Sequence, residues 1–473
     1  MNKVFSGLLL VLVICLSLPG QASMEQAFLE VSFQDEQLEQ AIKQLVKKNE
    51  NEAVLQKDME SLTVVDLSDR GIKSVQGLQY ASNMTHLDLS NNEIEDLGPL
   101  KALTKLRGLD ISRNQIASIE ALSSMTDMGS LKVNGNKISS IEAIKQFPRL
   151  QTFEASDNRI SSIPALSTAT EITWLKMNGN QIINIAPLSK LTKLKNLELT
   201  NNRITDLSPL KPLSKSMMNL SIGSNRISDL RALEGMTLLN SLYAENNQIK
   251  ELDPLKKLTN LYSLNLSSNL VYNLEPLKSL KEIHYLYLSD NRVWNLEPLR
   301  NHTFDTHYDT GALRYALQVS GNYLDLRSTT KTYQLLNKLG GEGHPLNQLK
   351  AQRLVIGSTT AYVGESAFKL SEAPFIASSR TYVPIRFVSE RLGAEVGWNQ
   401  SKKEVTIRKD NTTIRWIVNE KKANVNGQTV SFDTPLLLKK NSTFVPVRFV
   451  SELLESSVEY IANPKTAILF EKK

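Results

Sequence analysis

Four side chains able to bind a metal fall close together near the end of the regular part of this chain: His302, Asp305, His307 and Asp309. Imidazoles and carboxylates in that mixture could hold a divalent ion. Their spacing matches no zinc pattern, and 301–311 reads as a polar loop, so neither a metal nor a cofactor is assigned to it. The single cysteine, Cys15, sits in an apolar N-terminal stretch. Once that stretch is removed, disulfides, thiol chemistry and cysteine-bound metals are excluded together. Serines recur at fixed positions (Ser68, Ser90, Ser112, Ser156, Ser267, Ser289), which is structural placement rather than a nucleophile beside its base. No glycine-rich phosphate loop or nucleotide fingerprint occurs. Arg386 with Glu390, and Arg448 with Glu452, have the spacing of helix-surface ion pairs. The chain is read as a non-enzyme.

What remains is recognition chemistry, and a repeat positions it. Asparagine returns every 22 residues at Asn92, Asn114, Asn136, Asn158, Asn180 and Asn202, slips by one to Asn225, and resumes at Asn247, Asn269 and Asn291. An apolar-x-x-apolar-x-apolar phrase precedes each one, as in Leu106, Leu109 and Ile111 before Asn114. Self-similarity at this period marks an α/β leucine-rich repeat solenoid, whose coils must stack to bury their apolar edges. Each coil should contain a short parallel strand, an asparagine satisfying backbone groups at the strand exit, and a tight 3₁₀ turn. Pro99, Pro187, Pro209, Pro254, Pro276 and Pro298 preset that turn.

Residues flanking the inward positions of each strand should face the concave surface. Most are small or polar. Trp174, Tyr243, Tyr285 and Tyr287 are exceptions, with Lys176 and Glu245 beside them. These six are the candidate ligand-binding residues, because exposed rings are enriched in binding hot spots. The competing reading is that the rings only pack against cross-strand neighbours.

The ends of the chain differ from its middle. Lys3, the apolar run 8–18 and the small residues around Ala22 read as a signal peptide over 1–22. Residues 23–61 should form a helical cap, with Leu38, Ile42 and Leu45 on one stripe. The phrase Phe33-x-Asp35-x-x-Leu38-x-x-Ala41-Ile42, followed by Leu62-Thr63-x-x-Asp66-Leu67-Ser68, resembles the cap and first repeat of bacterial internalin-type proteins. Arg70 departs from the pattern by replacing the first asparagine. The repeats should run over 62–327 in about twelve coils. A helix at 330–339 and a linker close them over 328–353, with Gly340 to Pro345 as the candidate hinge.

Residues 354–473 carry a second duplication. Thr381-Tyr382-Val383-Pro384-Ile385-Arg386-Phe387-Val388-Ser389-Glu390 returns as Thr443-Phe444-Val445-Pro446-Val447-Arg448-Phe449-Val450-Ser451-Glu452 at an offset of 62. This predicts a small α+β domain of two related units. The paired phrases resemble the copper amine oxidase N-terminal-like, or stalk, domain of secreted Gram-positive proteins. Oxidase catalysis in that family belongs to another domain, needing copper-binding histidines and a tyrosine-derived quinone. No histidine follows His344 here.

The chain carries a formal charge of +6. Residues 354–473 hold 17 Lys or Arg against 12 Asp or Glu, so nearly all of the excess lies there. The reading is a secreted, extracellular or cell-wall-associated protein whose repeat face binds a protein, peptide or glycan. Nucleic acid is not expected, nor is a transmembrane segment in the mature chain. In the alternative, the basic C-terminal domain binds anionic cell-wall polymer and the repeats act as a spacer.

Overall fold

The computed structural model describes residues 29–305, 307–309, 312–343, 348–349, 351–462 and 464–471. The signal-peptide reading, and His344 to Asn347 of the linker, lie outside these residues. The chain divides into two compact units, 1–203 and 204–473.

The first unit begins with a helix and a short turn. Helix α1 (Glu36–Leu45) is started by Asp35, whose carboxylate accepts from Leu38 N at 3.0 Å. Leu38, Ala41 and Ile42 are buried, but Leu45 is exposed because it ends the helix beyond the covered stripe. The other Asp35 oxygen accepts from Lys73 N at 2.7 Å, tying the cap to the first coil. Burial pushes this carboxyl up, yet the N–H donors of Lys73, Leu38 and Ser74 outweigh it and hold it below its ordinary value. A single turn, α2 (Gln56–Met59), leads into the repeats.

Seven three-residue strands follow: β1 (Val64–Asp66), β2 (His86–Asp88), β3 (Gly108–Asp110), β4 (Ser130–Lys132), β5 (Thr152–Glu154), β6 (Trp174–Lys176) and β7 (Asn196–Glu198). They pair in parallel with residues 22 apart in register, as Leu109 with Leu131. Strands this short bury only their middle residue, and the other apolar positions of the coil complete the core.

The asparagines explain the period. Asn114 Oδ1 accepts from Ile94 N of the preceding coil at 2.9 Å. Its Nδ2 donates to Leu89 O of that coil and to Ile111 O of its own, at 2.9 and 3.2 Å. Asn136, Asn158, Asn180 and Asn202 repeat this pattern. One amide therefore closes two coils where no strand ladder reaches. The residue just before each asparagine turns left-handed, with φ 57° at Asn91 and 55° at Arg113, and glycine takes the position at Gly135 and Gly179.

The second unit continues the same construction with β8 (Asn219–Ser221), β9 (Ser241–Tyr243), β10 (Ser263–Asn265) and β11 (Tyr285–Tyr287). The segment read as an irregular loop contains a hairpin, β12 (His307–Asp309) and β13 (Ala312–Arg314). Then β14 (Leu317–Gln318) pairs in parallel with β11 as the last coil. Asn322 restores the ladder there, accepting from Val293 N at 2.8 Å. Helix α3 (Lys331–Lys338), capped by Thr330, closes this end. The glycines read as a hinge are packed instead. A Cβ on Gly341 would lie 2.5 Å from Leu336, and Glu342 adds a bridge to Gln318 at the sheet edge.

The remainder forms three antiparallel sheets and two short helices, α4 (Ile385–Arg391) and α5 (Val447–Leu453). Strands Arg380–Pro384 and Ser442–Pro446 are the duplicated elements. They pair antiparallel with Val383 opposite Val445, so the two copies meet at equivalent residues. Ile385, Val388 and Leu392 of one copy and Val447 and Leu454 of the other fill one core with Trp416.

This domain packs directly on the late coils of its unit. Tyr272, Tyr323, Ala351, Ile468 and Phe470 form a second small core, with Trp294 and Ile461 against it. Glu459 is almost wholly buried and receives Lys250 at 2.5 Å and Arg292 at 3.4 Å. Glu365 accepts from the N–H groups of Lys331 and Thr332 at 3.0 and 2.7 Å, capping α3 from the neighbouring domain.

Candidate ligand-binding face of the strands

The six candidate residues are held on two units and are described separately. In the first, Trp174 starts β6 and is 39 % exposed. Lys176 ends the same strand and pairs with Glu198 at 3.3 Å. Glu198 also accepts from Asn178 Nδ2 at 2.8 Å, so the polar side chains of this face bond along the coil direction.

In the second unit Tyr243 ends β9 and is 37 % exposed, with its hydroxyl accepting from Ser263 Oγ at 3.3 Å. Glu245, two residues further on, is half-buried. Its carboxylate lies over Gly223, where an added Cβ would come within 2.3 Å, and its Oε2 is buried. Tyr285 and Tyr287 are half-buried at the two ends of β11, separated by the inward Leu286.

Two residues outside the sequence reading complete this cluster. Tyr262, 37 % exposed, precedes β10, and His284 precedes β11. The Tyr262 ring stacks on His284 with centroids 4.9 Å apart and meets Tyr285 edge-on at 5.5 Å. Asp305 holds both, receiving the Tyr262 hydroxyl at 3.2 Å and His284 Nδ1 at 3.2 Å. Burial of the ring surface and the Asp305 carboxylate raise the Tyr262 pKa, keeping the phenol a donor. The sequence signal was present: Asn240, Tyr262 and His284 are 22 apart, one position before the strands rather than in them.

Asp305 is thus engaged with tyrosine and histidine rather than with His302. The His302 ring is buried, its Nε2 3.1 Å from Leu277 O, and it stacks on Phe304 at 5.9 Å. That carbonyl requires the proton on Nε2, leaving Nδ1 as a buried lone pair without a partner among the described residues. Burial, reinforced by Lys281, pushes its pKa down. The side chains of His307 and Asp309 lie outside the described residues. Among the described residues no group of three metal-ligating side chains is assembled.

The arrangement offers exposed rings, a histidine and hydroxyls on an open sheet, which is surface for contact and not an enclosed reaction chamber. No described helix is long and apolar enough to cross a membrane.

Comparison with known proteins agrees with this architecture. Residues 82–124 and 170–212 match the model of Leucine Rich repeats (2 copies), and 192–249 match that of Leucine rich repeat. Residues 350–402 and 362–469 match the Copper amine oxidase N-terminal domain. Comparison with curated proteins gives no match. Among solved structures, an internalin (InlF) of Listeria monocytogenes is 26 % identical with a TM-score of 0.60, over 68 % of this chain and 96 % of that one. Internalin C2 of the same species is 29 % identical at TM-score 0.44, over 45 % and 94 %. The functional domain of InlJ, which includes a cysteine ladder, is 16 % identical at 0.45, over 81 % and 94 %. The chain thus carries a leucine-rich repeat solenoid similar to that of internalins, followed by a region that matches the Copper amine oxidase N-terminal domain.

Proposed function

We propose that this chain is an exported, non-enzymatic binding protein that recognises a protein, peptide or glycan through the solvent-facing side of its strands. In the second unit Tyr243, Tyr262, His284, Tyr285 and Tyr287 anchor the ligand. On the first unit Trp174 and Lys176 form a separate candidate contact. The observation that carries the reading is the Tyr262–His284–Tyr285 ring cluster, held by Asp305 on an otherwise small and polar strand face. Rings fixed in this way lose little freedom on contact and bury large area, which is the character of interface anchors.

The test is capture of extracellular proteins and of arrayed glycans by the whole chain lacking residues 1–22. Tyr262→Ala with Tyr285→Ala should weaken capture by roughly thirtyfold, the effect of losing about 2 kcal/mol of hot-spot contact. The unfolding midpoint should stay unchanged. Equal capture by the variant refutes the assignment.

The alternative, attachment of the basic C-terminal domain to anionic cell-wall polymer, draws on its 17 basic against 12 acidic residues. Wall binding that survives the tyrosine substitutions and disappears in salt would favour it.

A further inference from the structure

A cleft of about 440 Å³ lies in the second unit between the late coils and the C-terminal domain. Its floor is formed by Arg353, whose guanidinium carbon is 4.7 Å from the ring centroids of both Trp294 and Tyr362. Tyr362 is the cross-strand partner of Arg353, so the two share one face of their sheet. Arg353 is removed from water by these rings, and burial pushes its pKa down. Among the described residues it makes one side-chain hydrogen bond, Nη2 to Gly364 O at 2.8 Å, and no carboxylate lies within ion-pair distance. Glu365 attracts this guanidinium through space without a hydrogen bond to it among the described residues, so the half-buried fork keeps donor capacity for a bound anion.

Two further donors line the same cleft. Asn273 and Asn295 each cap a 3₁₀ turn, their Oδ1 atoms accepting from Glu275 N and Glu297 N at 3.0 Å. That bond fixes which side-chain atom is oxygen and leaves Nδ2 of both amides without a protein partner among the described residues. The equivalent residues Asp96, Asp206 and Asp229 make the same cap with a carboxylate. At the cleft, as at Asn184, asparagine does the capping without adding negative charge, and among the described residues Glu275 is the one carboxylate in the cleft's lining. Ile461 and the Trp294 ring complete an apolar wall.

We propose that this cleft binds an organic carboxylate with an apolar body. The carboxylate takes the Arg353 guanidinium and the Asn273 and Asn295 amides, and the body lies along Trp294 and Ile461. Arginine suits a carboxylate because its fork can donate two parallel hydrogen bonds. The volume is that of a small-molecule pocket. This site is separate from the strand-face reading and does not depend on it.

Calorimetric titration of the whole chain lacking residues 1–22 tests the assignment. The probes are 3-phenylpropionate, 3-phenylpropionamide, inorganic phosphate, and an N-acetylated tripeptide ending in a phenylalanine carboxylate. Phenylpropionate or the tripeptide should bind saturably, the tighter of the two telling a free acid from a chain end. The neutral amide should bind at least roughly tenfold more weakly, as expected for a lost charge-assisted hydrogen bond. Asn273→Asp with Asn295→Asp preserves both caps and should weaken the carboxylates by a similar factor without moving the unfolding midpoint. Four outcomes overturn the proposal: no saturable carboxylate binding, equal binding of the amide, phosphate binding as tightly, or undiminished binding by the aspartate variant.

Discussion

A single asparagine in each coil after the first substitutes for hydrogen bonds that a strand of three residues cannot provide. Asn180 accepts from Ile160 N at 3.0 Å and donates to Ala155 O, Met177 O and Asn178 O between 2.9 and 3.2 Å. Asn180→Ala should therefore destabilise the first unit by about 2–3 kcal/mol, the cost of leaving several buried backbone groups unpaired. Asn180→Asp should cost at least as much, since a carboxylate can still accept from Ile160 N but sets negative charge against three carbonyl oxygens. Urea unfolding of both variants measures this; a loss near zero in either would mean that water replaces the amide. The asparagine role was legible because the residue recurs at a fixed offset. The 22-residue spacing could also have found Tyr262 and His284, but not Asp305, which lies in the irregular segment and holds both.

At the scale of the element, short strands and 3₁₀ turns follow from the length of the repeat. Twenty-two residues leave no length for a helix on the return side, and proline at the start of many turns fixes the first dihedral angle. The one-residue slip between Asn202 and Asn225 is taken up in a longer turn, Ser208–Lys215, which carries Pro209 and Pro212. Helix α3 shows an element completed from outside itself. Burial pushes the Glu365 carboxyl up, but the Thr332 hydroxyl and the N–H groups of Lys331 and Thr332 hold it below 4.5. Because the folded value is the lower one, this contribution is present above about pH 4.5 and is lost as pH falls through the folded value. Glu365→Ala should destabilise by about 1 kcal/mol at neutral pH, as for loss of a helix cap. The difference from the parent chain should vanish in acid. Thermal unfolding of both chains between pH 7 and pH 3 reads it, and a difference that persists in acid would contradict the role.

At the scale of the whole second unit, the C-terminal domain is built into the end of the repeats instead of hanging from a hinge. Tyr272 and Trp294 occupy a flank position, three residues after the asparagine, that is small or polar in most other coils (Ala117, Ser139, Ser161, Thr205, Ser228). Glu459 sits beside them with two cations and almost no exposure. Glu459→Ala should leave Lys250 and Arg292 facing each other across a buried gap and cost about 2–3 kcal/mol, less than for a fully buried pair because Lys250 is partly exposed. Hydrogen exchange should then rise in Ser456–Ala462 and Lys465–Glu471 together with the coils around Tyr272, because they share one core. Faster exchange in the C-terminal strands alone would show that the two parts open independently.

Local periodicity was enough to assign the coils, their asparagines, their turns and the paired phrases at an offset of 62. Each depends on residues whose neighbours in space are also at fixed distances along the chain. The packing of Phe470 on Tyr323, the bonds from Glu459 to Lys250 and Arg292, and the Arg353–Trp294 contact of the cleft join residues 59 to 209 positions apart with no repeat relating them. Whether an exposed-looking tyrosine becomes an anchor or a core residue is decided by what folds against it. That was a matter for the tertiary structure alone.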